Sequence, residues 1–301
     1  MAGGTDLLQL WKAGVQAPEH LVDITGLPIG GVTAAAGRLA LGALARLGQV
    51  AAHPAVAKGH PLIAQAILAS ASVQVRNMAT VAGALLQRTR CVYFRSEPLP
   101  CNKRAPGSGC GALAGENRQH ALFGGSDACV ATHPSDLAVA LAALDAQVDI
   151  VGPSGARSLA LADLYRLPAA SPERDTTLSP GELITAVEVA DADRFAARSA
   201  YLKIRDRASF EFAVVSVAAA LRLEGGVVVE ARLAVGGVAP MPWRLSRSEA
   251  ALIGRRPGAE AWAAAADIAV EGARPLAHNG FKIELLRRAI VRVLETVGDL
   301  A

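Results

Sequence analysis

Residues 85–110 read LLQRTRCVYFRSEPLPCNKRAPGSGC. The chain holds four cysteines, Cys91, Cys101, Cys110 and Cys129, and all of them fall inside one 39-residue window. Arg, Gly and Pro crowd that window, so it reads as a loop wrapped around something and not as a helix or strand. Thiols gathered on irregular backbone suit disulfides or a metal centre. Nine, eight and eighteen residues separate successive cysteines. Zinc sites usually hold one pair of cysteines about two to four residues apart on a tight turn, and no such pair is present here. A four-iron cluster is larger and can take its thiolates from separate loop segments. Disulfides suit small secreted domains, whereas this chain is long enough for a full core. The spacing puts an iron–sulfur cluster first and leaves zinc, disulfides and unconnected buried thiols open.

Outward from this window the chain is regular. THPSDLAVALAALDAQVDIVG (132–152) predicts a helix capped at Ser135 or Asp136 that runs into a strand. HPLIAQAILASAS (60–72) has helical spacing, and VRNMATVAGALLQ (75–87) reads as a glycine turn between apolar segments. Residues 21–48 are short apolar runs broken by turns. PAASPERDTTLSPG (168–181) is the best candidate linker. Beyond it SAYLKIRDR alternates, and FEFAVVSVAAALRL, EGG and VVVEARLAVGG form a hairpin with a tight glycine turn. Residues 259–273 and 280–297 have amphipathic helical spacing. Strands followed by helices make the C-terminal third α+β, with a division near residue 195.

Half the residues are apolar (52%), which supplies ample core, and a net charge of +3 is too small to argue for nucleic acid. Apart from RTR and NKR beside the cysteines, Lys and Arg are dispersed. Apolar runs stop short of transmembrane length, and Arg222 interrupts VVSVAAALRL, so no membrane is expected. An export signal is not apparent either, which reads as cytoplasmic.

Two glycine turns could approach a phosphate: AGGTDL (Ala2, Gly3, Gly4, Thr5, Asp6 and Leu7) and Thr80-Val81-Ala82-Gly83-Ala84. Glycine lets the backbone come close, and successive amides form an anion-binding nest. Neither matches the dinucleotide fingerprint or a Walker loop. His120 and His133 bracket the last cysteine and read as loop or surface residues. Hydrolytic arrangements of Ser, His and Asp, or of paired zinc-binding histidines, are not found.

In order, AGGTDL, VRNMATVAGALLQRTRC, the four cysteines, SDACVATHPSDLAVALAALDA, SAYLKIRDRASFEFAVVSVAAAL and HNGFKIELLRRAI resemble one family over nearly the whole chain. It is the FAD-binding subunit of the xanthine dehydrogenase-like molybdenum hydroxylases. The likeness is strongest to the periplasmic aldehyde oxidoreductase branch, which carries an inserted four-cysteine [4Fe-4S] segment. The resemblance implies a two-part FAD-binding domain of the PCMH or vanillyl-alcohol-oxidase-like type over 1–195, with the cluster insert at 88–131. A C-terminal α+β domain of antiparallel strands and helices, like that of CO dehydrogenase flavoproteins, would follow over 196–301.

The resemblance also implies roles. Residues 2–7 would wrap the FAD pyrophosphate, Thr80 and Gly83 would form a second phosphate loop, and Asp136 would bind FAD through polar contacts. Ile184 would pack on the flavin ring and Lys203 would lie near it. Cys91, Cys101, Cys110 and Cys129 would hold the cluster, as electron relay or as staple. Arg88, Arg90, Arg95, Lys103 and Arg104 would offset its charge or face a partner. Without the resemblance Asp136 reads as a helix cap, Ile184 as core and Lys203 as a solvated strand residue. The implied activity is electron transfer from aldehyde oxidation, in a heterotrimer. A large subunit carries the molybdenum cofactor, a small one carries two [2Fe-2S] clusters, and an external acceptor takes the electrons. Such a trimer can be exported folded on a partner's signal, which would place it in the periplasm. Two departures stand out. Met1 sits directly before the AGGTDL loop, where the family has a further strand and helix, so the FAD-binding domain as it stands reads as truncated at its N-terminus: either the start is misassigned or the chain lacks a strand that would buttress the loop. The usual Val-Gly-Gly-Asn reads Val81-Ala82-Gly83-Ala84, so a Cβ at 82 would be strained if φ is positive there, and Ala84 would forfeit an amide contact worth about 1 kcal/mol. If these disable flavin binding, the chain is a flavin-poor, cluster-stapled scaffold subunit.

Overall fold

The computed structural model describes residues 1–299. A short helix α1 (Leu7–Lys12) follows the first glycine loop, and strands β1 (Val32–Ala35) and β2 (Arg38–Gly42) come next. Short helices α2 (Leu47–Ala52), α3 (Pro54–Gly59), α4 (Pro61–Ala69), α5 (Val73–Arg76) and α6 (Val81–Leu85) form one wall. His60 precedes α4, with Pro61 in the first turn, where its missing N–H costs nothing. Residues 88–131 contain one helical turn, α7 (Val92–Arg95), and otherwise irregular backbone.

Helix α8 (Asp136–Ala143) starts at Ser135, whose hydroxyl accepts from Ala138 N at 3.2 Å. It leads into β3 (Gln147–Gly152), β4 (Gly155–Ala160), the turn α9 (Leu161–Leu164) and β5 (Leu183–Ala190). These strands build a five-stranded sheet in the order β1-β2-β5-β3-β4, antiparallel throughout. The second sheet, β6 (Ser199–Ile204), β7 (Val215–Glu224), β8 (Val227–Gly236) and β9 (Trp243–Arg244), is a meander, also antiparallel. Its tight turn uses Gly225 and Gly226 at φ +58° and +76°, which glycine adopts without penalty. Helices α10 (Ser246–Leu252), α11 (Ala259–Ala269) and α12 (Phe281–Asp299) cover one face of it.

Strand β7 is buried on both faces, so it reads as a nearly continuous apolar run. Side chains alternate across a sheet. Ala218 and Ala220 therefore join the core under α4 and α8, while Val217, Ala219 and Leu221 join the core under α10–α12. Small residues on the first face let α8 approach closely: a Cβ on Gly236 would lie 2.6 Å from Val139 Cγ2.

Residues 168–181 are not a linker between domains. They lie inside the first domain, between α9 and β5, and the cysteine segment pins them. Lys103 Nζ donates to Pro172 O at 2.6 Å and pairs with Asp175, which Arg88 also engages at 2.7 Å. Proline and serine there give an irregular path, and buried partners hold it in place. Among the described residues no helix is long and apolar enough to cross a membrane.

Candidate functional site

The glycine loop at residues 2–7 presses onto the segment before α6. A Cβ on Gly3 would fall 2.0 Å from Met78 O, and Gly4 sits at φ +68°. Both positions thus require glycine. Among the described residues, the amides of Gly3, Gly4, Thr5, Asp6 and Leu7 donate to no acceptor in the chain. A run of unsatisfied, adjacent N–H groups on a tight loop fits an anionic ligand.

The second loop offers fewer donors. Val81 N and Ala82 N donate to Ala45 O and Ala43 O, both at 3.0 Å, and Gly83 N donates to Thr80 Oγ1 at 3.2 Å. Thr80 is the cap of α6, so Thr80–Ala84 is a helix start and not a free turn. The feared strain at Ala82 is absent, because Ala82 is helical and its φ is not positive. Ala84 is 7% exposed and fills the core.

A continuous groove runs from these loops toward the second domain. Its first chamber, ≈ 300 Å³, is lined by Gly3, Thr5, Thr80, Gly83 and the buried Ile184 among others. The second, ≈ 190 Å³, shares Thr5, Asp6, Gly83 and Gln87 with it and reaches Asp136 and Phe212. The third, ≈ 360 Å³, shares Arg90, Ser135, Asp136 and Phe212 and ends at Cys91 and His120. Residues 205–213 form its outer bank. Phe210 there is 55% exposed at φ +52°, a strained conformation for an aromatic, and Phe212 stacks under the Arg90 guanidinium 4.6 Å away. A groove with free amides at one end and apolar walls fits an extended dinucleotide.

Asp136 and Lys203 come together here. Lys203 Nζ donates to Asp136 Oδ2 at 2.7 Å and to Ala69 O at 3.2 Å, and Tyr201 Oη donates to Asp136 Oδ1 at 2.7 Å. The Lys203 side chain is 3% exposed, so it is not a solvated strand lysine. Asp136 is also more than a cap, since Ser135 performs that task. Burial drives the Tyr201 hydroxyl well above its ordinary range, with the Asp136 charge adding to it, so it stays a donor.

Asp6 does a different job from its neighbours. Its carboxylate accepts from Arg88 N (2.7 Å), Arg95 Nη2 (2.7 Å) and Arg90 Nη1 (2.9 Å). The glycine loop is therefore tied directly to the cysteine segment. Nothing in the sequence points to this clasp, because its partners lie more than eighty residues apart. Arg104 spends its charge on the carbonyls of Tyr93, Phe94, Glu97 and Leu99. Lys103, buried beside Cys129, favours that cysteine's thiolate, although burial pushes both Cys129 and Cys91 upward, Cys91 to about 12.

All four cysteines are free thiols, and among the described residues no three His, Cys, Asp or Glu side chains converge on one metal ion. Cys101 and Cys110 face each other in an antiparallel bridge, and Ser126 pairs with Cys129 likewise. Both histidines lie on loops; His120 is buried and His133 partly buried. His133 packs on Tyr165 with ring centroids 4.6 Å apart, and His120 Nε2 lies 3.1 Å from Cys91 Sγ.

Comparison with known proteins matches residues 1–190 to the FAD binding domain in molybdopterin dehydrogenase and residues 200–297 to the CO dehydrogenase flavoprotein C-terminal domain. The chain is 47% identical over 296 residues to the aldehyde oxidoreductase FAD-binding subunit PaoB of Escherichia coli K12, covering 98% of this chain and 89% of that one. It is 27% identical to the glyceraldehyde dehydrogenase medium chain of Sulfolobus acidocaldarius, over 85% of this chain and 73% of that one. Among solved structures, carbon monoxide dehydrogenase from Hydrogenophaga pseudoflava superposes with TM-score 0.75 at 25% identity, covering 99% of this chain and 88% of that one. Quinoline 2-oxidoreductase from Pseudomonas putida 86 gives TM-score 0.74 at 24% identity over the same shares, a likeness of fold.

Proposed function

The chain belongs to the FAD-binding subunits of the xanthine dehydrogenase and CO dehydrogenase family, and from that premise we propose that it is the electron-transfer subunit of a molybdenum hydroxylase oxidising aldehydes to carboxylic acids. It would work in a heterotrimer with a molybdenum-cofactor large subunit and a [2Fe-2S] small subunit. When bound, FAD supplies a junction between one-electron donors and an external acceptor.

The chain's own residues hold that group. The free amides of residues 3–7 would take the pyrophosphate, and Thr80 and Gly83 would form a second loop beside it. Ile184 would wall the first chamber, and Asp136, held by Lys203, would line the second. The observation that carries this reading is the row of unpartnered amides opening into a groove that runs past Asp136 toward Cys91 and His120. The helical, unstrained Ala82 speaks against the flavin-poor scaffold alternative.

The four cysteines are read as ligands of a [4Fe-4S] cluster. Each thiolate in such a cluster binds a different iron, so the set is wider than that of a single tetrahedral ion. Four free thiols speak against disulfides, and the lack of any cysteine pair on one tight turn is what favours a cluster over zinc. The insert has almost no regular structure of its own, and a cluster would staple it beneath the groove.

An absorption spectrum of anaerobically purified protein, with flavin and iron counted per chain, tests both parts. About one FAD and about four irons are expected, with flavin bands over a broad iron–sulfur shoulder. Iron without flavin would favour the scaffold reading. Zinc in place of iron would overturn the cluster.

A further inference from the structure

Two buried polar side chains at the start of α12 take no part in the flavin groove. Asn279 and Lys282 are each 0% exposed and reach back to the cysteine segment. Asn279 Nδ2 donates to His120 O at 3.1 Å and Ala121 O at 3.2 Å, and Lys282 Nζ donates to His120 O at 3.0 Å and to Gly237 O. From the other side Asn117, also 0% exposed, accepts His278 N on Oδ1 at 2.8 Å, while its carbonyl accepts His120 N at 3.0 Å. The backbone of His120 is thus gripped by both domains.

The imidazole it carries is aimed at a cysteine. Residue 120 is 6% exposed and its Nε2 lies 3.1 Å from Cys91 Sγ. Among the described residues this is the one side-chain hydrogen bond to a cysteine sulfur. Tyr93 leans on the ring, 6.2 Å between centroids, and is itself seated on Gly111 and Gly115, where a Cβ would come within 2.4 and 2.2 Å of it. The opposite nitrogen, Nδ1, is buried with no partner among the described residues. A ring fixed this firmly, with one nitrogen left bare, is placed for the bond its other nitrogen makes.

We propose that His120 is a positioning residue for the iron–sulfur cluster, its Nε2–H donating to the Cys91 sulfur and its aim set by Asn279 and Lys282. The inference rests on the cluster reading. A ligand thiolate accepts hydrogen bonds and cannot donate, so the shared proton belongs to the imidazole. An electron added to the cluster raises the negative charge on its sulfurs. An N–H aimed at one of them stabilises the reduced form more than the oxidised form and raises the potential. Burial strengthens the effect.

The test is an EPR-monitored redox titration of the full chain as isolated with its iron, for the unsubstituted protein, His120→Leu and His120→Gln. His120→Leu is expected to weaken reduction about tenfold, a drop of ~59 mV for one electron, while His120→Gln keeps a donor and most of the potential. An unmoved potential in His120→Leu with full iron overturns the assignment. A second measurement needs no variant: pulsed EPR of the reduced protein labelled with ¹⁵N-histidine should show a histidine nitrogen coupled to the cluster, and its absence overturns the proposal. The iron assay separates the two levels. Unsubstituted protein lacking about four irons per chain sinks the cluster reading, whereas full iron with neither effect sinks His120 alone.

Discussion

Lys203 Nζ lies 2.7 Å from Asp136 Oδ2, with the two side chains 3% and 5% exposed. Their bond joins the first turn of α8 to β6, and so ties the first domain to the second where both border the groove. Breaking a buried pair leaves one uncompensated charge. Lys203→Met should destabilise by about 3–5 kcal/mol, and the double variant Lys203→Met/Asp136→Leu should recover much of the loss. Urea unfolding measures this. A double variant as unstable as the single would show that the pair's geometry, and not the stranded charge, is what counts.

Asp6→Asn should loosen both proposed cofactors at once. Its carboxylate holds Arg90, Arg95 and the amide of Arg88, so it fastens the glycine loop to the cysteine segment. A loss of about 1–3 kcal/mol is expected. Flavin and iron content should fall together in the same preparations. A fall in flavin alone would mean that the segment stands without the clasp.

Ala82→Gly discriminates between a strained loop and a helix. In a strained loop glycine would stabilise. Because Ala82 lies in α6 with an ordinary φ, glycine should instead cost about 1 kcal/mol and lower the thermal midpoint.

Lys282 should give the chain a basic-side gain in stability. Burial, with Arg118 adding like charge, lowers its pKa to about 7. Between about pH 7 and pH 10.5 the unfolded chain then binds more protons than the folded one, so stability rises with pH. Below that window both states are protonated and the contribution is flat. From pH 7 to pH 9 the gain is about 2 kcal/mol, and Lys282→Met should lose it. Parallel stability curves for the two proteins would show that the ammonium is solvated.

Cys110→Ser should reduce iron content and flatten the iron–sulfur shoulder while leaving flavin absorbance in place. An unchanged spectrum and full iron would remove Cys110 from the ligand set.

Local pattern made the regular parts of this fold legible. The hairpin of β7 and β8 announced itself through two apolar runs on either side of Gly225-Gly226, and α8 through Ser135 and its apolar face. The irregular parts depend on distant partners. PAASPERDTTLSPG has a linker's composition, yet Lys103, some seventy residues away in sequence, holds it fast. His120 does lie on a loop, but its burial was hidden because Asn279 and Lys282, which hold it, come from the far end of the chain. Lys203 looked solvated because only the folded chain brings Asp136 beneath it. At the candidate site, motif order located the glycine loop, but it did not reveal that the Asp6 carboxylate is taken up by Arg88, Arg90 and Arg95.

Because β7 gives one face to each core, no plane of weakness separates the two halves of the molecule. Parting them would strip both cores together. The cofactor groove is therefore a slot and not a jaw. If the groove holds flavin as proposed, exchange would need local opening of residues 205–213 and not a hinge between domains.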